Sequence, residues 1–364
     1  MARATTQRAE AILPARWSAE LQRQWWQRTP APLAQLLRPL SWLYAVAFAV
    51  VRRLIRPVAL PVPVVVVGNL VVGGAGKTPT VMAVVQLLRA FGWTPGVVSR
   101  GHGRESNQRL AVTRESLASQ VGDEPLLIHL RTGAPVMVSR DRVGAARALL
   151  AQHPQVDVLV SDDGLQHHRL ARDVQIVVFD DRGSGNGLLL PAGPLREPMP
   201  RHAPPDTLLL YNAARVSTLL PGWMATRRLA GVVPLADWWQ GAVPVDDSWR
   251  ALRGRSVLAL AGMAEPERFF ALLEAVGLTI ERLPLPDHHA FRSLPWPHGT
   301  ADVVLTEKDA VKLVPGREGE ATTVWVVPLD FEPELAFAAA LKRQLPHPPH
   351  HVTSPPMPAP KALA

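Results

Sequence analysis

Lys77 and Thr78 close the run Gly68-Asn69-Leu70-Val71-Val72-Gly73-Gly74-Ala75-Gly76-Lys77-Thr78-Pro79, and these residue types in this order suit one chemistry, the holding of nucleotide phosphates. Glycines let backbone N–H groups turn toward phosphate oxygens, and a helix starting just beyond adds partial positive charge. In such a loop Val71, Val72, Gly73, Gly74, Ala75 and Gly76 form the cradle, Lys77 reaches the β- and γ-phosphates, and Thr78 ligates Mg²⁺. The strict pattern has glycine six residues before the lysine. Val71 stands there instead, so the match rests on Gly73, Gly74, Gly76, Lys77 and Thr78. A glycine-rich turn without a ligand is the competing reading, and the flanking strand and helix weigh against it.

Asp162-Asp163-Gly164 ends an apolar run downstream. A P-loop protein carries its metal-serving carboxylate at such a place: one acid can hold Mg²⁺ directly or through water while the other orients it. A turn capping a helix is the bland alternative. Gln166-His167-His168 follows at once, in place to donate to phosphate oxygens or to touch a substrate, although a His-His pair alone is more often surface. Gly122-Asp123-Glu124-Pro125 puts two carboxylates at a turn. Phosphoryl transfer to a hydroxyl needs a positioned base, and helix capping by Asp123 is an equal reading. The proline-fenced loop 191–198 presents Arg196 and Glu197. Arg196 could neutralise charge on a transferring phosphoryl group, or the pair could be a surface ion pair. Asp287-His288-His289 lies far downstream. If two domains close over a cleft, a histidine from here meets Asp123 and orients it; alone it is a cation site or a surface pair. Leu305-Thr306-Glu307-Lys308-Asp309 opens a helix, either capping it or sending Lys308 into the cleft.

The elements that must position these residues read as alternating strands and helices. Val64-Val65-Val66-Val67 is a β-branched run typical of a buried parallel strand, followed by the loop and a helix over 81–90. Strands over 96–99, 136–138, 156–160, 175–180 and 207–211 alternate with helices, which predicts a doubly wound parallel sheet with ligands at the strands' C-terminal ends. Residues 227–247 read as strands linking to a smaller α/β unit, with strands at 257–262, 303–306 and 324–327. The expected division is an N-terminal segment 1–57, a P-loop domain 58–227, a smaller α/β domain 228–330, a helix 331–345 and a disordered tail 346–364 rich in proline and histidine.

The chain has no cysteine, which excludes disulfides, thiolate metal sites and cysteine nucleophiles. Its net charge of +8 is concentrated: residues 1–57 hold nine arginines against two glutamates. That distribution argues for a local basic surface rather than for a nucleic-acid partner. Within it, Leu40 to Val51 is uncharged and bounded by Arg38 and Arg52-Arg53. It is shorter than the roughly 20 apolar residues of a spanning helix. An amphipathic helix lying in the headgroups of an anionic leaflet and a helix packed into the nucleotide domain are both open.

Taken in order, the loop at 68–79, Ser99-Arg100-Gly101-His102-Gly103-Arg104, Gly122-Asp123-Glu124-Pro125, Asp162-Asp163-Gly164-Leu165-Gln166-His167, Leu190-Pro191-Ala192-Gly193-Pro194-Leu195-Arg196-Glu197, Ala261-Gly262-Met263-Ala264-Glu265-Pro266-Glu267-Arg268-Phe269-Phe270, Asp287-His288-His289 and Leu305-Thr306-Glu307-Lys308-Asp309 resemble the tetraacyldisaccharide 4′-kinase family of lipid A biosynthesis over residues 37–330. The resemblance implies an α/β fold with a P-loop NTPase-like parallel sheet domain, a second, smaller α/β domain and an N-terminal amphipathic membrane-interface helix. It implies an ATP- and Mg²⁺-dependent kinase at the cytoplasmic face of a Gram-negative inner membrane, acting as a monomer on a membrane-embedded lipid disaccharide. Lys77 and Thr78 then serve ATP and Mg²⁺, and Asp162 and Asp163 serve the metal. Asp123 is the base, paired with His288 or His289, while Arg142, Gln166, His167, Arg196 and Glu197 line the nucleotide and transfer site, with Glu197 counted among the metal-binding residues beside Thr78, Asp162 and Asp163. Val71 stands where the family commonly has threonine and His102 where it commonly has tyrosine; substrate contacts near His102 are the ones this puts in question.

Overall fold

The computed structural model describes residues 15–27, 29–263, 265–319 and 321–348. The segment before 15 and the tail from 349 lie outside the described residues, and with them most of the stretch expected to be disordered. The helices are α1 (Ala15–Trp25), α2 (Pro32–Leu36), α3 (Arg38–Leu54), α4 (Lys77–Ala90), α5 (Ala118–Val121), α6 (Asp123–Thr132), α7 (Arg142–Gln152), α8 (Leu235–Trp239), α9 (Pro266–Ala275), α10 (Glu307–Ala310) and α11 (Leu335–Gln344). The strands are β1 (Val64–Gly68), β2 (Pro95–Ser99), β3 (Leu110–Val112), β4 (Val136–Val138), β5 (Val158–Asp162), β6 (Val174–Asp180), β7 (Thr207–Asn212), β8 (Trp223–Leu229), β9 (Val233–Pro234), β10 (Ser256–Ala261), β11 (Thr279–Pro284), β12 (Asp302–Thr306), β13 (Thr323–Val327) and β14 (Leu329–Pro333).

They form a nine-stranded sheet ordered β14-β8-β7-β6-β1-β5-β2-β4-β3 and a five-stranded sheet ordered β11-β10-β12-β13-β9. The strand before the phosphate loop, β1, sits at the middle of the large sheet, parallel to β5 and β6. All its residues are buried because the sheet is covered on both faces. Alternation sorts them: Val65 and Val67 join a cluster with α4 and α6, while Val64 and Val66 join one with α7. Burying each such valine contributes about 1.5–3 kcal/mol. The first cluster runs on into Leu258, Leu260, Val303, Leu305 and Val326 of the second sheet, so a shared apolar core holds the two units together.

The boundary between the units differs in detail from the expected one. Strand β8 belongs to the large sheet, where it pairs with β7 and, antiparallel, with β14. The chain therefore leaves for the small sheet after β8 and returns in β14. Trp238 and Trp239, expected in a strand, are in helix α8, because their indoles are claimed by the second unit: Trp238 Nε1 donates to Glu307 Oε1 at 3.0 Å and Trp239 Nε1 to the Leu313 carbonyl at 2.9 Å. Helix α11 returns to the large unit, with Phe337 edge-on to Trp223.

Helix α3 is neither buried nor free. Ser41, Tyr44 and Phe48 form one stripe against the large unit: Ser41 Oγ donates to the Leu189 carbonyl at 2.8 Å, Tyr44 OH to the Arg196 carbonyl at 2.8 Å, and Phe48 meets the His168 ring edge-on. A second stripe, Leu40, Leu43, Val46, Val50 and Leu54, is exposed along its whole length, with Leu43 66% and Leu54 76% exposed. No helix among the described residues is long and apolar enough to cross a membrane.

Candidate active site

The phosphate loop leaves β1 at Gly68 and enters α4 at Lys77. Val71 is fully buried and forms an antiparallel bridge with Leu195; Val72 N–H donates to the Pro194 carbonyl and Arg196 N–H to that of Leu70. The loop's first residues thus run as a short ladder along the 194–196 segment, which accounts for a β-branched residue where the strict motif has glycine. Gly76 has φ +87° and sits so close to Asn212 that a Cβ would lie 1.9 Å from its amide nitrogen, so only glycine fits. Lys77 Nζ is nearly buried, donating to Asn69 Oδ1 at 3.3 Å and to the Gly73 carbonyl at 3.4 Å.

At the end of the neighbouring strand β5, Asp162 is 1% exposed. Its Oδ2 accepts from Ser99 Oγ at 2.8 Å, while its Oδ1 has no hydrogen-bond partner among the described residues. Burial, then the charges of Glu124 and Asp163, push its carboxyl up to about 7 against the Ser99 hydrogen bond and Arg142. A buried carboxylate oxygen without a partner among the described residues, next in sequence to a second aspartate, is the kind of hard oxygen donor that Mg²⁺ takes, so the chemistry of Asp162 and Asp163 fits the ion. Asp163, in the left-handed region at φ 46°, faces two cations: Lys77 Nζ at 3.7 Å and Arg196 Nη1 at 3.4 Å. Gln166 links this group onward, accepting from Arg196 at 3.1 Å and donating to Glu197 Oε1 at 2.9 Å. Burial raises the Glu197 carboxyl, opposed by Gln166, Arg52, Arg172 and Arg196. Arg142, 3% exposed, donates to the carbonyls of Ser139 and Asp162, bracing the strand end. Burial and Arg142 bring His167 down to about 4, so it is neutral near pH 7.

Asp123 is the first residue of α6, with Gly122 as its N-cap. Its Oδ1 accepts from the Glu124 N–H at 3.0 Å and its Oδ2 meets His288 Nδ1 at 2.9 Å, across the boundary between the two units. His289 goes elsewhere, its ring edge-on to Phe291. His102 packs against His288, with ring centroids 5.4 Å apart and the rings tilted. Burial would raise the Asp123 carboxyl, but the His288 hydrogen bond and the charges of Lys308, His288 and Lys312 outweigh it and hold it below the usual value. The bond to Asp123 raises His288 in turn. Lys308 pairs with Asp287 at 3.1 Å, while Thr306 Oγ1 accepts from the Asp309 N–H, so both expected roles of that stretch are present. The result is an ionised carboxylate, oriented by an imidazole and flanked by a lysine, able to accept a proton from a hydroxyl.

Two residues around the loop, Arg182 and Asn212, were not singled out in the sequence. Arg182 Nη2 donates to the Gly74 carbonyl at 2.6 Å, and Asn212 Nδ2 to that of Ala75 at 3.1 Å. Trp26 stacks on the Arg182 guanidinium at 4.2 Å. Arg182 and Asn212 lie at the C-terminal ends of β6 and β7, the positions where a parallel sheet places ligand-facing residues, and that signal could have found them. Of the cavities, one of about 610 Å³ is bounded by residues 232–245 of the second unit and holds none of these groups.

The LpxK family, described as tetraacyldisaccharide-1-P 4′-kinase, matches residues 33–346. A tetraacyldisaccharide 4′-kinase of Methylibium petroleiphilum is 56% identical over 336 residues, covering 90% of this chain and 93% of the relative. One of Leptothrix cholodnii is 52% identical, covering 91% and 97%. A crystal structure described as an "apo" form of LpxK from Aquifex aeolicus in complex with ATP superposes with a TM-score of 0.70 at 26% identity, covering 86% of this chain and 99% of that one. The chain belongs to the tetraacyldisaccharide-1-P 4′-kinase family.

Proposed function

We propose that this protein transfers the γ-phosphoryl group of ATP to the 4′-hydroxyl of a tetraacylated glucosamine disaccharide 1-phosphate, giving lipid IVA, the step its relatives are named for. The observation that carries the reading is the Asp123–His288 pair, 2.9 Å apart, beside a phosphate loop. Asp123 takes the hydroxyl proton as the oxygen attacks phosphorus, and His288 fixes the carboxylate's direction. Lys77 and Arg196, both held at Asp163 here, are the cations released to phosphate charge when a triphosphate competes for them. Mg²⁺, held by Thr78, Asp162 and Asp163, would neutralise the phosphate oxygens.

The acceptor's acyl chains stay in the bilayer, since each exposed CH₂ costs about 0.8 kcal/mol, so the enzyme goes to the membrane. The exposed stripe of α3, flanked by Arg38, Arg52 and Arg53, supports a peripheral position on an anionic surface, taken here as the cytoplasmic face of the inner membrane. A groove of about 310 Å³ between α3 and the 187–199 loop, lined by Trp42, Leu188, Leu189, Leu195 and Met199 with Arg38 at its edge, has the lining an acyl chain needs. The protein works as a monomer in this reading. Incubation with radiolabelled ATP and purified acylated disaccharide 1-phosphate is expected to yield labelled lipid; bound ATP without labelled lipid would sink the assignment. Leu43→Glu and Val50→Glu in the full chain are expected to abolish flotation with anionic liposomes, and unchanged flotation would remove the stripe from membrane binding.

A further inference from the structure

We propose that Arg182 is a positioning residue for the phosphate loop, and that it ties nucleotide affinity to the N-terminal segment. A trans peptide is planar, with its C=O and N–H pointing to opposite sides. Holding a loop carbonyl outward therefore turns the next residue's N–H the other way. Two successive peptides of the loop are held in this manner: the Gly74 carbonyl by Arg182 and the Ala75 carbonyl by Asn212. The N–H groups of Ala75 and Gly76, on the opposite sides of those peptides, have no partner within the described protein. A phosphate needs these donors, and the two side chains set them before any ligand arrives.

Asn212 is buried and local, whereas Arg182 is a junction. Asp180 fixes its guanidinium through Nε at 2.9 Å and Nη2 at 2.6 Å, and also accepts its backbone N–H at 2.9 Å. The group lies over Gly73, 3.8 Å from where a Cβ would be. Trp26 covers it from the N-terminal side at 4.2 Å, and Glu265 of the second unit approaches Nε at 4.0 Å. Trp26 is itself seated: the preceding Trp25 donates from Nε1 to the Pro191 carbonyl at 3.0 Å and accepts the Asn186 N–H at 2.8 Å. The segment just before the apolar helix α3 thus reaches the phosphate loop through one side chain.

Titration of the full chain with ATP and Mg²⁺ tests this without any lipid acceptor, so its failure and that of the lipid reading are distinguishable. Arg182→Ala is expected to weaken ATP binding about tenfold to a hundredfold, as for loss of a hydrogen bond from a charged donor. KM for ATP should rise in step while kcat changes less than about threefold, the split that marks lost ground-state binding. Trp26→Ala is expected to weaken binding about threefold, as for a lost cation–π contact. The double variant should be no weaker than Arg182→Ala alone, because Trp26 acts through the guanidinium. Arg182→Lys, which keeps the charge but not the fork, should fall between wild type and Arg182→Ala. Wild-type affinity in Arg182→Ala, a loss confined to kcat, or additive losses in the double variant would each overturn the proposal. If Arg182→Ala does not fold, Arg182→Lys and Trp26→Ala decide, and wild-type affinity in both overturns it.

Discussion

The phosphate loop takes its strand, its glycines, its lysine and its helix from residues 64–90, whereas the acid–base pair joins Asp123 to a histidine 165 residues away in the other unit. In the first case chain connectivity brings the parts together, and neighbouring strand ends only refine their orientation. In the second, the geometry depends on how two sheets are registered. Much of that register passes through Glu307, which is 4% exposed. Its carboxylate accepts from Arg131 at the far end of α6, from Trp238 Nε1 and from the Leu329 N–H at 3.2 Å, where the chain returns to the large sheet. Glu307 thus holds the helix that begins with Asp123, and its neighbour Lys308 pairs with Asp287, which precedes His288. In the proposed mechanism, binding nucleotide belongs to one unit, whereas doing chemistry with it requires both.

Substitutions can break this contrast. The largest effect is expected for Asp123→Ala, which should lower kcat by about 10²–10⁴ while leaving ATP affinity as in wild type; an equal loss of ATP affinity, measured by titration, would contradict the separation. Glu307→Ala should lower stability by about 3 kcal/mol by leaving Arg131 without its buried partner, read as a drop in the denaturant midpoint, and should cut kcat more than ATP affinity. His288→Ala is expected to reduce kcat by about tenfold to a hundredfold, the usual loss for a group that orients another. It should also move the acid limb of kcat/KM to higher pH, because burial then acts on Asp123 without the opposing hydrogen bond. An acid limb that stays in place would show that His288 does not tune the base.

The same pair sets a pH window for stability. Asp123 is depressed, so its contribution is complete above the ordinary value of 3.8 and is lost as pH falls through the folded value. His288 is raised, so its contribution is complete below the ordinary 6.5 and is lost as pH rises through the folded value. The stability difference between wild type and His288→Ala should therefore be greatest between those limits. The smallest functional effect is expected for Val71→Gly, which restores the strict motif. It should cost about 2 kcal/mol of stability through lost burial while KM for ATP stays within about twofold, since the residue meets Leu195 rather than a phosphate donor.

By itself the sequence determined what neighbours along the chain can settle. Four consecutive valines, a glycine-rich turn and an apolar helix specify a buried strand, a loop and its helix, because strand periodicity, left-handed glycines and helix spacing are all short-range. Asp162 at a strand's end and Asp123 at a helix's start were legible for the same reason. Only the tertiary structure decided that His288 and not His289 meets Asp123, since the turn places one ring in the cleft and the other against Phe291. It also decided that Trp238 and Trp239 are helical, that α3 docks through Ser41, Tyr44 and Phe48 while its leucines stay outside, and that Arg182 and Asn212 hold the loop's carbonyls. Each of these depends on a side chain meeting an atom far away in sequence, and local preference carries no information about such a meeting until both sheets have packed.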